Sequence, residues 1–135
     1  MAMTSRERVR KAINHQITDR VPIDLGSTPV TTIHVLALEK LRKRLGLKDE
    51  ILTLTDPLLQ CAEVEKDVRE CLQIDCIGIW GITNTIGIHN INHKKWTLPD
   101  GTEVLVGGDF VYTVGEDGSL YAYAKGDTNY PPSAR

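Results

Sequence analysis

Two histidines are the first residues in this sequence whose spacing indicates metal chemistry. His89 and His93 form a His-x₃-His pattern, which on a helix places both imidazoles on one face, as in zinc metalloproteases. No glutamate follows His89, and the surrounding Ile-His-Asn-Ile-Asn sequence is typical of a loop rather than a helix. We therefore interpret the pair as part of a solvated loop and expect it to bind no metal.

The three cysteines do not predict a metal site either. Cys61, Cys71 and Cys76 lack the Cys-x-x-Cys spacing, and by themselves they leave a tetrahedral zinc one ligand short. Each lies in an apolar stretch, so we expect reduced, mostly buried thiols in a cytoplasmic protein. The sequence also has no glycine-rich phosphate loop and no Gly-x-Ser-x-Gly nucleophile motif.

The composition is that of one ordinary globular domain. The chain has 135 residues, of which 41% are hydrophobic and 25% charged, which argues against a disordered or fibrous protein. No apolar run approaches the roughly 18 residues of a membrane span. The first 16 residues are charged and lack a hydrophobic signal core, so we expect a cytoplasmic protein without a membrane partner.

Charge is unevenly distributed along the chain. Residues 1–48 carry ten basic and four acidic side chains, whereas residues 49–135 carry six and fourteen, which together give the net charge of −2. A basic half can mark a nucleic-acid footprint. Here the positive charges recur at helical spacing among apolar residues, as in Leu41-Arg42-Lys43-Arg44-Leu45. This pattern favours a solvated helix face, and we expect no nucleic-acid partner.

Three helices are predicted in the first part of the chain. The capping box Thr4-Ser5-Arg6-Glu7 begins the first helix, which we expect to end near His15. The second helix follows Pro29, with Val35, Leu38, Leu41 and Leu45 on one face and Gly46 as its C-terminal cap. The third spans about residues 63–72, where apolar side chains recur at helical spacing and acidic side chains lie outside.

Two kinds of strand are predicted around these helices. Residues 21–25 and 74–80 are short apolar runs, typical of buried strands, and their alternation with helices predicts an α/β fold with the two strands adjacent and parallel. Residues 94–124 instead alternate apolar and polar residues around two glycine-containing turns, which predicts an antiparallel β-meander of about four strands. Residues 125–135 are predicted to be an extended tail.

The opening of the chain resembles a known family. It is similar to the start of the uroporphyrinogen decarboxylase family, and more narrowly to the decarboxylase-like branch that includes corrinoid-linked methyltransferases. The first part of the resemblance lies in Thr4-Ser5-Arg6-Glu7-Arg8-Val9, Ala12-Ile13-Asn14-His15-Gln16 and Asp19-Arg20-Val21-Pro22-Ile23-Asp24-Leu25-Gly26. Later segments agree, namely Asp56-Pro57-Leu58-Leu59-Gln60, Ile74-Asp75, Pro99-Asp100-Gly101-Thr102-Glu103 and Tyr130-Pro131-Pro132.

The resemblance implies a fold that this chain does not complete. It covers nearly the whole chain but only the N-terminal part of the family's proteins, which are (β/α)₈ barrels of the TIM type with about 250 residues or more. Residues 1–135 are then a single domain. Within it, residues 1–80 would be the start of the barrel, residues 94–124 a β-meander inserted after the second strand, and residues 125–135 the tail.

The resemblance also implies where a site would lie. Active sites of such barrels form at the C-terminal ends of the strands, which points to residues after both apolar runs. Asp24 would handle substrate or a proton, and Asn84 would offer its amide to a substrate carbonyl. Ser27, Trp80 and Thr83 would bind substrate, with Trp80 as a wall for a flat macrocycle. Each also has a structural alternative: a backbone-bonded aspartate, a packing tryptophan or a polar loop residue.

Two departures from the family bear on the reaction. Uroporphyrinogen decarboxylase has an arginine-rich glycine motif where this chain has Gly26-Ser27-Thr28-Pro29-Val30, and a Phe-Ser-Asp aspartate where it has Trp80-Gly81-Ile82-Thr83. A substrate with eight carboxylates needs cationic partners. We therefore favour methyl transfer in a corrinoid-linked system, with uroporphyrinogen decarboxylation as the alternative. We expect this segment to bind no cofactor; zinc and a corrinoid-protein partner would belong to a full-length relative.

A third interpretation is non-catalytic. On this view the chain is a truncated product or a degenerate relative that folds as a compact unit and associates with itself. Two barrel strands without neighbours leave apolar runs and backbone groups uncovered, so we expect self-association in either case.

Overall fold

A computed structural model describes residues 2–84 and 86–132. The described residues form helices and small antiparallel sheets, with no closed barrel among them. In chain order the elements are α1 (Ser5–Ile13), β1 (Ile33–His34), α2 (Val35–Leu45), β2 (Leu54–Asp56), β3 (Cys61–Ala62), α3 (Lys66–Cys71), β4 (Lys94–Thr97), β5 (Glu103–Val106), β6 (Tyr112–Val114), β7 (Leu120–Ala122) and a 3₁₀ helix (Ala124–Gly126).

The capping signals of the first two helices are confirmed. The Thr4 hydroxyl accepts the Glu7 N–H at 3.3 Å, and the Glu7 carboxylate accepts the Thr4 N–H at 2.9 Å, so the capping box is complete. Helix α1 ends at Ile13, two residues before the predicted end. Helix α2 ends at Leu45 and is capped by Gly46 as predicted, and the φ of Gly46, 70°, is left-handed. Helix α3 is shorter than predicted.

The two apolar segments, residues 21–25 and 74–80, are not strands, so the prediction of a parallel strand pair is wrong. They do lie side by side, because the Asp75 N–H donates to the Ile23 carbonyl at 2.8 Å. The Ile23 N–H, which a parallel ladder would use, donates instead to the Asp75 carboxylate at 2.9 Å. Pro22 has no N–H to contribute. Among the described residues, backbone pairing between the two segments therefore stops at a single bond.

A small sheet that the sequence did not predict packs against α2. Its strands run in the order β1-β3-β2, all antiparallel. Ala62 is the partner of both Ile33 and Leu54, and Ala62 and Leu54 are fully buried. Strands of two or three residues are too short to show alternation, which is why periodicity gave no signal for them.

Both predicted hairpins are present, but they do not join into one meander. Strands β4 and β5 pair with each other, and so do β6 and β7, as two separate two-stranded sheets. The second edge of β5 is occupied by another segment, because the Leu105 N–H donates to the Leu52 carbonyl at 2.9 Å. Strand β6 therefore has no place beside β5. Residues 133–135 of the predicted tail lie outside the described residues.

One hydrophobic core joins the helical half to the hairpins. Val35, Leu38 and Val68 of the helices are fully buried in the same cluster as Val104 and Val106 of β5. The two hairpins meet through aromatic rings, with the Trp96 and Phe110 centroids 5.0 Å apart and those of Phe110 and Tyr112 5.7 Å apart. Side-chain packing, rather than strand pairing, connects the hairpins.

Two further expectations are corrected by burial. Cys71 is exposed and Cys61 and Cys76 are only partly buried, although all three are free thiols as expected. The basic side chains of α2 are not all solvated, since Arg42 is 2% exposed. It lies 2.6 Å from Glu65 and 2.9 Å from Asp67, so it ties α2 to the start of α3.

Among the described helices, none has the length and apolar character needed to cross a membrane.

Candidate functional site

A cavity of about 230 Å³ lies where the second apolar segment ends. Its walls come from the loop after residue 79, from the β2–β3 turn and from the loop before β1. The lining residues are Pro29, Thr55, Asp56, Cys61, Ile79, Trp80, Gly81, Thr83, Asn84 and Asn90. Three of the five predicted site residues, Trp80, Thr83 and Asn84, therefore share one cavity.

The other two predicted residues, Asp24 and Ser27, do not line this cavity. They form a pair of their own, in which the Ser27 hydroxyl donates to the Asp24 carboxylate at 2.5 Å and the Ser27 N–H donates to it at 3.3 Å. The pair lies beside the cavity wall, since a Cβ built on Gly78 would be 2.8 Å from both the Ser27 carbonyl and Trp80 Nε1. Asp24 thus makes the backbone-bonded turn given above as its structural alternative, and its catalytic role stays a prediction.

Asn84 has a structural task at the cavity wall. Its side-chain oxygen accepts the N–H groups of Ile86 at 3.2 Å and Ile88 at 2.9 Å, and its own N–H donates to the Ile88 carbonyl at 2.9 Å. Thr83 next to it forms an isolated antiparallel bridge with His89. These bonds hold the loop after Trp80 against the body of the protein.

Asp56, Cys61 and Asn90 are among the seven lining residues that the sequence analysis did not select as site residues. Asp56 is 7% exposed, and its carboxylate accepts the N–H groups of Leu58 at 2.9 Å and Leu59 at 3.1 Å. Cys61 follows in the same turn, and Asn90 donates from its amide to the Thr55 carbonyl at 3.2 Å. The Asp-Pro pair was a usable turn signal for Asp56. Asn90 reaches the cavity because its backbone N–H donates to the Ile82 carbonyl, and no pattern in the sequence indicates this pairing.

The polar groups that line the cavity include two side-chain amides and one carboxylate. Among its described lining residues, none is a lysine or an arginine. Burial raises the pKa of the Cys61 thiol, and the nearby Asp56 carboxylate raises it further. Cys61 is therefore a neutral thiol near pH 7 and not an activated nucleophile.

The arginines of the family-like motifs lie elsewhere, in a cluster that we call the Arg–Asp cluster, formed by Arg8, Asp19, Arg20 and Asp75. Arg8 binds both Asp19, at 2.6 Å, and Asp75. Arg20 binds Asp75 at 2.7 Å and the Gln73 carbonyl at 2.7 Å. The Asp75 side chain is completely inaccessible. The cluster joins α1 to both apolar segments, so these charged residues have a structural role.

The Arg–Asp cluster holds Asp75 ionised. Burial by itself would raise the pKa of Asp75, but hydrogen bonds from the Ile23 N–H, Ser5, Arg20 and Arg8 outweigh it and lower the pKa to about 2. Hydrogen bonding to Arg8 likewise lowers the pKa of Asp19. The folded protein therefore stabilises the charged form of both the Asp75 and the Asp19 carboxyl groups.

We expect the acid stability of the protein to follow this cluster. A carboxyl group with a lowered pKa stabilises the fold above its ordinary pKa, 3.8 for Asp75, and loses that effect as the pH falls through the folded value of about 2. The urea midpoint should therefore fall between about pH 4 and pH 2. Urea titrations at several pH values, followed by circular dichroism, measure this. A flatter profile in the Asp75→Asn variant is the control, and an unchanged midpoint in the wild type down to pH 2 would contradict the expectation.

The metal site that His89 and His93 suggested has no support from a ligand cluster. Among the described residues, no group of three His, Cys, Asp or Glu side chains is placed to hold a metal ion. His89 pairs with Asp109 at 2.5 Å, and both side chains are about half exposed. The donor groups around this pair, as far as the structure describes the chain, do not fit a zinc ion. The absence of bound zinc stays a prediction.

Comparison with known proteins adds no family assignment, since no protein-family model, curated protein or solved structure matches the chain.

Proposed function

We propose that this chain is the N-terminal part of a (β/α)₈ barrel of the uroporphyrinogen decarboxylase type, from its corrinoid-linked methyltransferase branch. The cavity beside Trp80 would form one wall of the substrate site. The observation that carries the proposal is the cavity lining, which gathers three side chains expected at strand ends and, among the described residues, contains no cation.

The lining favours a corrinoid over uroporphyrinogen. The side chains around a corrin ring are mostly amides, whereas uroporphyrinogen carries eight carboxylates. The Asp56 carboxylate repels a polycarboxylate, and the wall offers its carboxylates no cationic partner. Asn84 and Asn90 carry amide groups, which can both donate hydrogen bonds to and accept them from the amides of a corrinoid. Trp80 would stack on the edge of the macrocycle. The cavity of about 230 Å³ takes only such an edge, consistent with a corrinoid protein approaching the mouth of the site.

The chain's own residues would then bind and orient rather than activate. Trp80 and Thr83 contact the substrate, and Asn84 keeps their loop in place through its bonds to Ile86 and Ile88. Asp24, beside the wall, would accept or release a proton at the carboxylate that now takes the Ser27 hydroxyl. Because the family resemblance covers only the first part of a barrel, we expect this chain to bind the corrinoid as a substrate without turning it over. A cytoplasmic location is proposed with it, and the free thiols support that.

Equilibrium dialysis with methylcobalamin tests the proposal. The wild-type chain should retain methylcobalamin, and the Trp80→Ala variant should bind it about tenfold more weakly, because a lost aromatic contact costs about 1.4 kcal/mol. Tyr130→Ala is the matched control, since Tyr130 is an exposed aromatic residue that does not line the cavity. Tyr130→Ala should leave binding unchanged.

A porphyrin arm separates the two enzymatic interpretations. Dialysis against uroporphyrin should show no retention, and anaerobic incubation with uroporphyrinogen should give no coproporphyrin above a control without protein. Coproporphyrin formation would favour the decarboxylase alternative. Retention of neither ligand would leave the non-catalytic interpretation as the better one.

A further inference from the structure

The two apolar segments expose far more aliphatic surface than their sequence predicts. Ile79 is 99% exposed, Val21 79%, Ile77 72% and Ile23 41%. Ile13 of α1, which lines a shallow cavity together with Cys76, is 72% exposed. Single exposed aliphatic residues are ordinary, but five on two adjacent segments and the neighbouring helix mark an interaction surface.

Beyond Asp75, the backbone of the second segment has no backbone partner within the part of the chain that the structure describes. Among the described residues, no backbone–backbone hydrogen bond involves residues 76–80. One side of this stretch faces the first segment, where Gly78 lies against the Gly26 and Ser27 carbonyls. The described residues supply no backbone partner for this stretch, and its Ile77 and Ile79 side chains are exposed, which is an arrangement that can recruit an additional strand.

From these observations we infer that the chain forms a two-fold dimer in which residues 76–80 of two copies pair antiparallel. The stretch Cys-Ile-Gly-Ile-Trp carries no charge, so no like charges meet when it faces itself. With Gly78 at the two-fold axis, Ile77 of one copy lies opposite Ile79 of the other. Such an isologous contact involves the same edge, residues 76–80, in both copies, so the assembly is closed at two copies.

The exposed area suits a second copy. A fully buried aliphatic side chain removes about 60–120 Å² of apolar surface from water, so the five side chains, weighted by exposure, offer about 200–450 Å². The apolar share of a standard interface is about 450 Å² of roughly 800 Å² per partner. The edge of β4 is less suited to pairing with a second copy, because the exposed Lys94 and Lys95 would bring like charges together there.

Light scattering coupled to size-exclusion chromatography tests the dimer. At micromolar concentration the wild type should have twice the 15.0 kDa chain mass. The double substitution Ile77→Thr/Ile79→Thr should raise the dissociation constant about a hundredfold or more, since it replaces four isoleucine side chains, which form two cross-strand pairs, in each dimer. Val114→Thr on β6 is the matched control, because Val114 is 61% exposed outside this surface. It should leave the mass unchanged.

Hydrogen exchange locates the contact independently of any variant. The amides of residues 76–80 should exchange more slowly as protein concentration rises, while those of 112–114 should not. A monomer at all concentrations, an assembly larger than a dimer, or a dimer unaffected by the double substitution would each overturn the inference. Circular dichroism of both variants establishes that they remain folded, as substitution at exposed positions predicts.

Discussion

Replacing Asp75 with asparagine should lower the free energy of unfolding by about 3–5 kcal/mol. The Asp75 carboxylate is inaccessible, and it is shared by Arg8 and Arg20 while it accepts the Ile23 N–H. The variant leaves the two arginines, Arg8 with its 6% exposed side chain and Arg20, with Asp19 as the remaining carboxylate of the cluster, so one positive charge there is no longer balanced. The loss of one partner from a buried ion cluster costs more than the intact cluster contributes, because the remaining charge is desolvated.

Urea denaturation at pH 7, with the slope of the transition checked for constancy, measures the loss. Glu39→Gln is the matched control, because it also removes one carboxylate from an ion pair, here with Lys43 at 2.7 Å on the surface of α2. That variant should lose no more than about 0.5 kcal/mol. An Asp75→Asn variant as stable as Glu39→Gln would show that the cluster does not hold α1 against the apolar segments.

Replacing Trp96 with alanine should cost about 3–5 kcal/mol as well, by a different mechanism. Trp96 is 8% exposed, and its ring packs against those of Phe110, at 5.0 Å between centroids, and Tyr112, at 5.6 Å. Because no strand pairing links β5 to β6 in the described structure, this aromatic contact is a main connection between the hairpins. The variant should lose stability and should also expose the second hairpin to exchange.

Trp80→Ala is the comparison, since Trp80 is only partly buried and lines an open cavity. We expect its cost in stability to be less than half that of Trp96→Ala, measured in the same urea titrations, while it alone weakens methylcobalamin binding. Equal losses for the two variants would mean that the cavity wall belongs to the core rather than to a binding site.

Local signals in the sequence were sufficient for the elements that depend on a few neighbouring residues. Thr4 and Glu7 determined where α1 begins, and Gly46 determined where α2 ends, because caps bond within one turn of the helix. The two glycine turns near residues 100 and 117 likewise determined the hairpins. At the candidate site, the barrel rule selected five residues, of which Trp80, Thr83 and Asn84 line one cavity while Asp24 and Ser27 do not, and the roles of all five stay predictions.

Tertiary contacts decided the rest. An apolar run such as 74–80 becomes a strand only if a neighbour supplies a ladder, and here the Asp75 side chain takes the Ile23 N–H that the ladder needs. The second edge of β5 bonds to Leu52, more than fifty residues earlier in the chain, and Asn90 reaches the cavity through pairing with Ile82. The sequence by itself determined caps, turns and apolar stretches, because their energies are local; which segments pair, and which apolar side chains stay exposed, depended on competition between distant partners for the same backbone groups.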